Sequence, residues 1–300
     1  MIEKSLQVAS DYFDKLMVQR SSYSVKSLII TEDKFQKEKD WKIFISQNDD
    51  GVKLNRGRQG SKDSGRVIWQ NFVGMTKPED ASEKLLPLFI DAEIENNAWA
   101  SKMIHLGSGH DHVFHLMHLA LNNKITNFII FNFDAHADMR DDDLLHSGTP
   151  FRYFFNQCKN QLSSYHIIQV GLNRFQQNTK DLVLDSAQVE SIWSHEVSME
   201  RLQHKLQQLK ITMKSMVPEE TLIILSLDAD VLSGAVMPAV SAVNPLGVEV
   251  TLVKKFAFEL KKEFPQFQKV LGIYEYNPIY DDTSARGAKT LATFIYDWIF

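Results

Sequence analysis

The stretch FIIFNFDAHADMR, residues 128 to 140, joins a run of apolar and aromatic residues to two carboxylates and an imidazole. The apolar part is short and nearly continuous, which indicates a strand that is covered on both faces. Asp134, His136 and Asp138 follow it at alternate positions. Because an unpaired buried carboxylate is costly, we expect this strand end to meet a cation.

Further apolar runs of the same kind recur along the chain between polar segments. They lie at residues 41 to 46, 85 to 90, 103 to 107, 166 to 172, 222 to 227 and 269 to 274. Segments with helical spacing separate several of these runs, and the clearest begin near residues 110, 198, 250 and 284. Strands that alternate with helices predict an α/β fold, in which helices cover both faces of a mainly parallel sheet.

The composition is that of a globular protein, since 44% of the 300 residues are hydrophobic. The formal charge of -5 is spread along the chain, which favours a small-molecule substrate over nucleic acid or an anionic membrane surface. Cys158 is the one cysteine and cannot form an intramolecular disulfide. No apolar run approaches the roughly 18 residues that span a bilayer. These features predict a cytoplasmic protein without a membrane anchor.

No internal repeat or Pro/Gly-rich linker divides the sequence convincingly. We therefore predict a single domain over residues 1 to 300, in which residues 1 to 40 form an N-terminal helical and connecting segment.

Three other predicted strands also end in residues that can carry chemistry. These residues are His110, Asp228, Asp230 and Glu275. The carboxyl ends of parallel strands meet at one edge of a sheet, where ligands collect, and residues two apart on an extended chain share a face. Four aspartates and two histidines at that edge could hold two divalent ions, and this favours a two-metal hydrolase.

The motifs GSGH (107 to 110), DAHAD (134 to 138) and SLDAD (226 to 230) stand in the order of the ligand motifs of the arginase/agmatinase ureohydrolases. The chain resembles this family from about residue 41 to its C-terminus. The resemblance implies a three-layer α/β/α sandwich and a centre of two Mn²⁺ ions. Relatives often assemble into homo-oligomers, so an oligomer is expected here without a fixed number of subunits.

The resemblance also implies how the two manganese ions would be held. The ligands of the first ion would be His110, Asp134, Asp138 and Asp228. The ligands of the second ion would be Asp134, His136, Asp228 and Asp230. Asp134 and Asp228 would bridge the ions, and a hydroxide between the ions would be the nucleophile.

Catalytic roles follow from the same resemblance. Glu275, in YEYNP, would pair with the cationic amidine or guanidine group of the substrate. His146, in LLHSGTP, would be the proton shuttle on a mobile loop, a role that its intrinsic pKa near neutrality suits. Asp138 would orient the hydroxide in addition to binding metal.

Three segments resemble formimidoylglutamases in particular: DGVKLNRGRQGS (50 to 61), DAHADMR (134 to 140) and HSGTPF (146 to 151). Arg140 stands where arginases typically carry asparagine, and a guanidinium can pair bidentately with a carboxylate. The implied reaction is hydrolysis of N-formimidoyl-L-glutamate, a dicarboxylate with an amidine group, to L-glutamate and formamide. The substrate-binding residues would be Arg140, Asn55 and Arg56. Further candidates for the second carboxylate are Arg58, Arg152 and Arg286.

Several alternatives remain at this stage. The chain could be another ureohydrolase, such as an arginase, agmatinase or guanidino-acid hydrolase, or a metal-binding relative without catalytic activity. A single Asp-x-Asp at a strand end is commonly a turn or helix cap. Arg140 could form a structural ion pair with one of residues 141 to 143. His112, His115 and His118 could be packing residues or a further metal site.

Overall fold

The computed structural model describes residues 23 to 91, 94, 98 to 184 and 187 to 300. One sheet runs through these residues. Its strands are β1 (Trp41–Ser46), β2 (Leu85–Ile90), β3 (Lys102–Leu106), β4 (Asn127–Phe133), β5 (Ser164–Leu172), β6 (Gln188–Trp193), β7 (Thr221–Asp228) and β8 (Gln268–Tyr274). All of its neighbouring strands are parallel, in the order β2-β1-β3-β8-β7-β4-β5-β6.

Helices connect the strands and cover both faces of the sheet. In the described ranges they are α1 (Asp50–Leu54), α2 (Ser64–Val73), α3 (His112–Asn122), α4 (Pro150–Cys158), α5 (Met199–Thr212), α6 (Val250–Glu263) and α7 (Arg286–Ile299). Of the predicted N-terminal segment, residues 1 to 22 lie outside the described residues. The rest of that segment contains two short 3₁₀ turns, Val25–Leu28 and Glu32–Lys34. The single domain stays a prediction.

The strands are apolar on both sides because the sheet is the middle of three layers. In β4, Ile129, Phe131 and Phe133 belong to the hydrophobic cluster that includes α2, α5, α6 and α7. Phe128 and Ile130, which point the other way, belong to the cluster that includes α3 and α4. The predicted α/β class with a three-layer arrangement is therefore confirmed, and the mainly parallel sheet is parallel throughout its described strands.

The seven apolar runs predicted as strands are all strands in the structure. The prediction missed β6, because this edge strand alternates exposed and partly buried residues and lacks a continuous apolar run. It also did not identify α1, α2 and α4. The last of these begins with Pro150, which is favoured in the first turn of a helix, and only one face of it is buried.

The strand order places the predicted chemistry in the middle of the sheet. The four strands whose ends carry the candidate residues are β3, β8, β7 and β4, and they are consecutive neighbours. They are not consecutive in sequence, since β5 and β6 extend the sheet on one side before β7 and β8 return to its centre. The crossover connections thus bring distant segments of sequence to one edge.

We predict that α6 stabilises the sheet chiefly through Phe256, which is fully buried with its ring centroid 4.8 Å from Phe131 and 5.2 Å from Phe133. Replacement of Phe256 by Ala leaves a cavity and should lower the free energy of unfolding by about 3 to 5 kcal/mol, measured by urea denaturation. Phe258 on the same helix is 65% exposed and is the matched control. Its replacement by Ala should change stability by less than about 0.5 kcal/mol. Equal losses for the two variants would contradict this account.

Candidate metal centre

Asp134 and Asp228 end neighbouring strands and shape the following turn in the same way. Oδ1 of Asp134 accepts a hydrogen bond from the His136 backbone NH at 2.7 Å, and Oδ1 of Asp228 accepts one from the Asp230 backbone NH at 2.8 Å. In each aspartate, Oδ1 accepts the hydrogen bond from the turn, and Oδ2 is available for contacts with other residues. The turn interpretation and the ligand interpretation of these motifs are therefore compatible.

Three carboxylates converge on one nitrogen of His110. Its Nδ1 lies 2.9 Å from Oδ2 of Asp138, 3.1 Å from Oδ2 of Asp134 and 3.2 Å from Oδ2 of Asp228. Nevertheless, the buried atoms His110 Nδ1 and Asp138 Oδ2 form no hydrogen bond of acceptable geometry within the described part of the chain. The candidate ligand atoms of these four residues lie within 4.8 Å of one another. Atoms that lie this close together without hydrogen bonds between them have the arrangement expected of ligands that share one ion.

A second group adjoins the first. It consists of Asp134, His136 and Asp230, with His136 Nδ1 2.9 Å from Oδ2 of Asp230 and 3.7 Å from Oδ1 of Asp134. Asp134 belongs to both groups, as a bridging ligand must. Asp228 belongs to the first group only, so its predicted bridging role stays a prediction.

The carboxylates of this cluster repel one another, and the surrounding side chains do not neutralise all of their negative charge. Burial, together with the charge of Asp134, raises the pKa of Asp138 to about 6. Burial and the neighbouring aspartates raise the pKa of Asp228 well above its usual value. Burial lowers the pKa of His136, but Asp230 and Asp134 outweigh it and raise this pKa to about 12. Without a metal ion, the cluster must hold protons to remain buried.

The residues present fit divalent cations. Carboxylate and imidazole donors, most of them buried, converge in two adjoining groups, and two of the buried ligand atoms form no hydrogen bond with any described residue. Such oxygen and nitrogen donors suit manganese and several other divalent ions.

Polar side chains inside the strands hold the candidate ligands in place. His110 Nε2 is hydrogen-bonded to Ser226 Oγ at 2.7 Å, which directs Nδ1 towards the carboxylates. The amide of Asn132 donates to Oδ2 of Asp134 at 3.2 Å and to Oε1 of Gln169 at 2.8 Å. These three supporting residues occupy one row, because Asn132 pairs in register with both Gln169 and Ser226.

This supporting row was not among the predicted site residues, although the sequence contains a signal for it. Asn132 and Ser226 are polar residues inside otherwise apolar strands, each two positions before an aspartate ligand candidate. A fully buried polar side chain requires a hydrogen-bond partner. Residues two apart share a face of the strand, so that partner was to be sought near the ligands.

Glu275 lies beside the first group and has an unusual backbone conformation. Its φ of 62° and the φ of 52° at Asp138 are both in the left-handed region, which costs energy for residues other than glycine. Oε1 of Glu275 accepts a hydrogen bond from the His110 backbone NH at 3.1 Å. Burial and the charge of Asp138 raise the pKa of Glu275 to about 8. Among the residues that the structure describes, no Lys, Arg or His side chain forms an ion pair with this carboxyl group.

A cavity of about 610 Å³ opens over the candidate ligands. Asp138, Asp228, Asp230 and Glu275 contribute to its floor and walls. The residues predicted to bind substrate, Asn55, Arg56 and Arg140, all line it as well. The cavity therefore combines a cluster of acids with two arginines.

Arg140 faces this cavity and is not used by a local ion pair. Within the described ranges, no carboxylate oxygen lies within 4.0 Å of its guanidinium, so the pairing with residues 141 to 143 is not formed. Arg140 donates instead to Oδ1 of Asn55, whose amide nitrogen donates to Ser147 Oγ at 2.8 Å. The guanidinium rests against Gly148, where an added Cβ would lie 2.1 Å from one of its nitrogens.

The other candidate arginines lie outside the cavity. Arg152 donates to the backbone carbonyl of Met139 at 2.6 Å and to carbonyls of the 180 to 183 segment. Arg58 packs over the ring of Tyr280, and Arg286, the first residue of α7, pairs with Asp282, which precedes that helix. Of the arginines considered for the second carboxylate, the cavity therefore retains Arg56.

His146 is buried and held within its own loop. Its Nδ1 accepts a hydrogen bond from the Gly148 backbone NH at 3.1 Å, so the proton of the neutral ring is on Nε2, which lies 3.3 Å from Asp142 Oδ2. Burial lowers the pKa of His146. It does not line the cavity, so its role as proton shuttle stays a prediction that requires Nε2 to leave Asp142.

The histidines of α3 form no further metal site. Among the described residues, the candidate metal groups are the two already given, and neither includes His112, His115 or His118. His112 is fully buried and contacts the backbone carbonyl of Asn48 at 3.2 Å. Burial lowers the pKa of His115 to about 4, as expected for a packing residue.

Comparison with known proteins accords with this arrangement. Residues 80 to 300 match the sequence profile described as "Arginase family". The chain belongs to the arginase family. A formimidoylglutamase from Photorhabdus laumondii is 28% identical over 276 residues, which cover 83% of this chain and 83% of that protein. Another from Staphylococcus aureus is 29% identical over 271 residues, covering 84% and 83%.

Solved structures share the fold of this arginase-family protein. Trypanosoma cruzi formiminoglutamase with Mn²⁺ superposes with a TM-score of 0.71 at 20% identity, covering 92% of this chain and 97% of that one. In the part of the chain that the structure describes, no helix is sufficiently long and apolar to cross a membrane.

We predict that manganese binding releases protons, because His136 has a pKa of about 12 without metal and must free Nδ1 to act as a ligand. Raising the pH lowers the cost of this release. The observed affinity should therefore rise by about tenfold per pH unit for each proton displaced between about pH 6 and 8. Calorimetry in buffers of different ionisation enthalpy measures both the number of protons released and the manganese affinity. A heat that is independent of buffer and an affinity that is independent of pH would contradict the prediction.

Proposed function

We propose that this protein hydrolyses N-formimidoyl-L-glutamate to L-glutamate and formamide with two Mn²⁺ ions bound. The observation that carries the proposal is the cavity in which Arg56 and Arg140 accompany Glu275 above the candidate metal ligands. The relatives named formimidoylglutamase, at 28% and 29% identity, support the same choice. The protein would act as a single domain.

The charges of the cavity complement those of the proposed substrate. N-formimidoyl-L-glutamate has two carboxylates and a formimidoyl amidine, which is cationic near neutral pH. Burial and the charge of Asp138 raise the pKa of Glu275 to about 8 without substrate. Glu275 would bind the amidine, and this cation would stabilise the ionised carboxylate. Arg140 and Arg56 would bind the carboxylates, with Asn55 holding Arg140 in place. Agmatine lacks a carboxylate and would leave both arginines unpaired.

The two groups of buried ligands would hold the manganese ions. His110, Asp134, Asp138 and Asp228 would hold one ion, and Asp134, His136 and Asp230 would hold the other, with Asp228 as a second bridge. The T. cruzi relative was solved with Mn²⁺, and these donor types suit that ion. When bound, the ions supply Lewis acidity, which lowers the pKa of water towards neutrality and stabilises developing negative charge.

Side chains in and beside the cavity would orient the substrate and the attacking water and would transfer protons. Water adds to the formimidoyl carbon, and the bond from that carbon to the glutamate nitrogen breaks. Asp138 would orient the attacking water, while Glu275 holds the amidine nitrogen. The glutamate nitrogen needs a proton to leave as an amine. His146 would take up the proton that the attacking water loses and pass a proton from Nε2 to this nitrogen after separating from Asp142.

A guanidino amino acid such as arginine is the second candidate substrate, because Asp181 also lines the cavity. A carboxylate at this position could pair with the free α-ammonium group of arginine. In N-formimidoyl-L-glutamate the corresponding nitrogen already carries the formimidoyl group. Manganese-loaded protein should therefore be incubated with N-formimidoyl-L-glutamate, arginine and agmatine side by side. Formamide as the product supports the proposal, whereas urea favours the alternative.

We predict that Asp230→Ala lowers formamide release by at least about 100-fold, because it removes a buried ligand of the second group. Asp297→Ala is the control, since this aspartate is half exposed and pairs with Lys254 away from the cavity. Unchanged turnover in the Asp230 variant would defeat the two-metal proposal. Manganese affinity, measured in parallel, should fall for the Asp230 variant and stay unchanged for the control.

We predict that Arg140→Gln raises KM for N-formimidoyl-L-glutamate by about 10- to 100-fold, as expected for a lost hydrogen bond between charged groups. Manganese affinity should not change, because Arg140 is not among the candidate ligands. Arg286→Gln is the matched control, since Arg286 pairs with Asp282 outside the cavity. A similar KM for Arg140→Gln and the wild type would show that Arg140 does not bind the substrate.

A further inference from the structure

Asn277 is a buried residue that neither the metal groups nor the cavity lining includes. It follows Glu275 by two positions, just beyond the end of β8. Its side-chain amide donates to the backbone carbonyls of Arg58 and Gln59, at 3.0 Å each. Its Oδ1 accepts a hydrogen bond from the Ile279 backbone NH at 3.1 Å. Asn277 therefore joins the strand end that carries Glu275 to a segment more than 200 positions earlier in the sequence.

That earlier segment, residues 55 to 60, carries the substrate-binding candidates Asn55 and Arg56. Its backbone is unusual, with a φ of 60° at Arg56 and of 122° at Gly60. Gly60 also allows a close approach, since an added Cβ would lie 2.8 Å from Oδ1 of Asn277. Such a conformation persists only where its surroundings impose it.

Other side chains anchor the same segment, but they come from different parts of the chain. Asp49 Oδ2 accepts from the Gly60 backbone NH at 2.7 Å, and Ser241 Oγ accepts from the Arg58 backbone NH at 3.0 Å. Asn277 differs from these anchors because it lies only two positions after Glu275 in the sequence. The two ends of the proposed substrate would be bound by Glu275 and Arg56, and Asn277 connects the backbones that carry them.

We propose that Asn277 is a positioning residue that sets the separation between Glu275 and Arg56 and so selects substrates by the distance between their amidine and carboxylate groups. This inference rests on the proposed function. A fixed separation lowers the entropy that binding would otherwise cost, and it favours a substrate whose charged groups match that separation. A substrate that is shorter by one methylene group would engage only one of the two ends well.

Asn277→Asp is the sharpest variant for a test. It keeps an Oδ1 that can accept from the Ile279 NH, so the local turn is retained, while it removes both donations to residues 58 and 59. Asn244→Asp is the matched control. Oδ1 of Asn244 accepts from the Leu246 backbone NH at 3.1 Å in a turn of the same kind, but its buried Nδ2 has no hydrogen-bond partner among the described residues.

The first measurement compares kcat and KM for N-formimidoyl-L-glutamate and for N-formimidoyl-L-aspartate. We expect Asn277→Asp to raise KM for the glutamate compound by about tenfold, with kcat changed by less than about threefold, because a carboxylate contact is made equally in the ground and transition states. The preference of the enzyme for glutamate over aspartate, as a ratio of kcat/KM, should fall by about tenfold. The Asn244 variant should retain the wild-type preference.

The second measurement does not require turnover. Amide hydrogen exchange should accelerate at residues 57 to 60 in Asn277→Asp, and calorimetry on manganese-loaded protein should show weaker binding of L-glutamate. If the wild type releases no formamide, the proposed function fails, yet a loss of L-glutamate affinity in the variant still supports the positioning role. If the wild type is active and the variant keeps its substrate preference and L-glutamate affinity, the inference is overturned. Faster exchange with unchanged preference also overturns it, because Asn277 would then be merely structural.

Discussion

Repulsion among buried carboxylates is the constraint on which the rest of the structure depends. Asp134, Asp138, Asp228 and Asp230 lie close together at the edge of one sheet, where water screens their charges poorly. Such a cluster is stable only with bound protons or cations, so the fold must hold the aspartates rigidly enough to overcome their repulsion. Parallel strands provide that rigidity, because each strand end is fixed by backbone hydrogen bonds to its neighbours.

The sheet meets this constraint by becoming polar gradually towards one edge. Apolar residues fill both faces of the central strands for most of their length. Two positions before Asp134 and Asp228, the polar side chains of Asn132, Ser226 and Gln169 replace the apolar ones and help direct the ligand atoms. Above the aspartates the walls of the cavity become cationic through Arg56 and Arg140. From the centre of the sheet towards this edge, apolar side chains are thus followed by amides, then by carboxylates and finally by guanidinium groups.

The sequence revealed the elements better than it revealed their arrangement. The apolar runs were recognisable because strands buried on both faces leave a continuous signal, whereas the half-exposed edge strand β6 does not. The six candidate ligands could be found from their alternate spacing and family motifs. That β3, β8, β7 and β4 are neighbours does not follow from their sequential order. Nor does the sequence show that Arg56 lines the cavity whereas Arg58, two positions later, does not.

The contact between Arg140 and Gly148 makes the pose of one residue depend on the size of the other. The guanidinium occupies space that even a methyl group on residue 148 would claim. An arginine at position 140 in this pose therefore requires glycine at position 148, and the two sites cannot change independently without loss of the pose. An alanine at position 148 would displace the guanidinium of Arg140 from this pose without altering any of the candidate metal ligands.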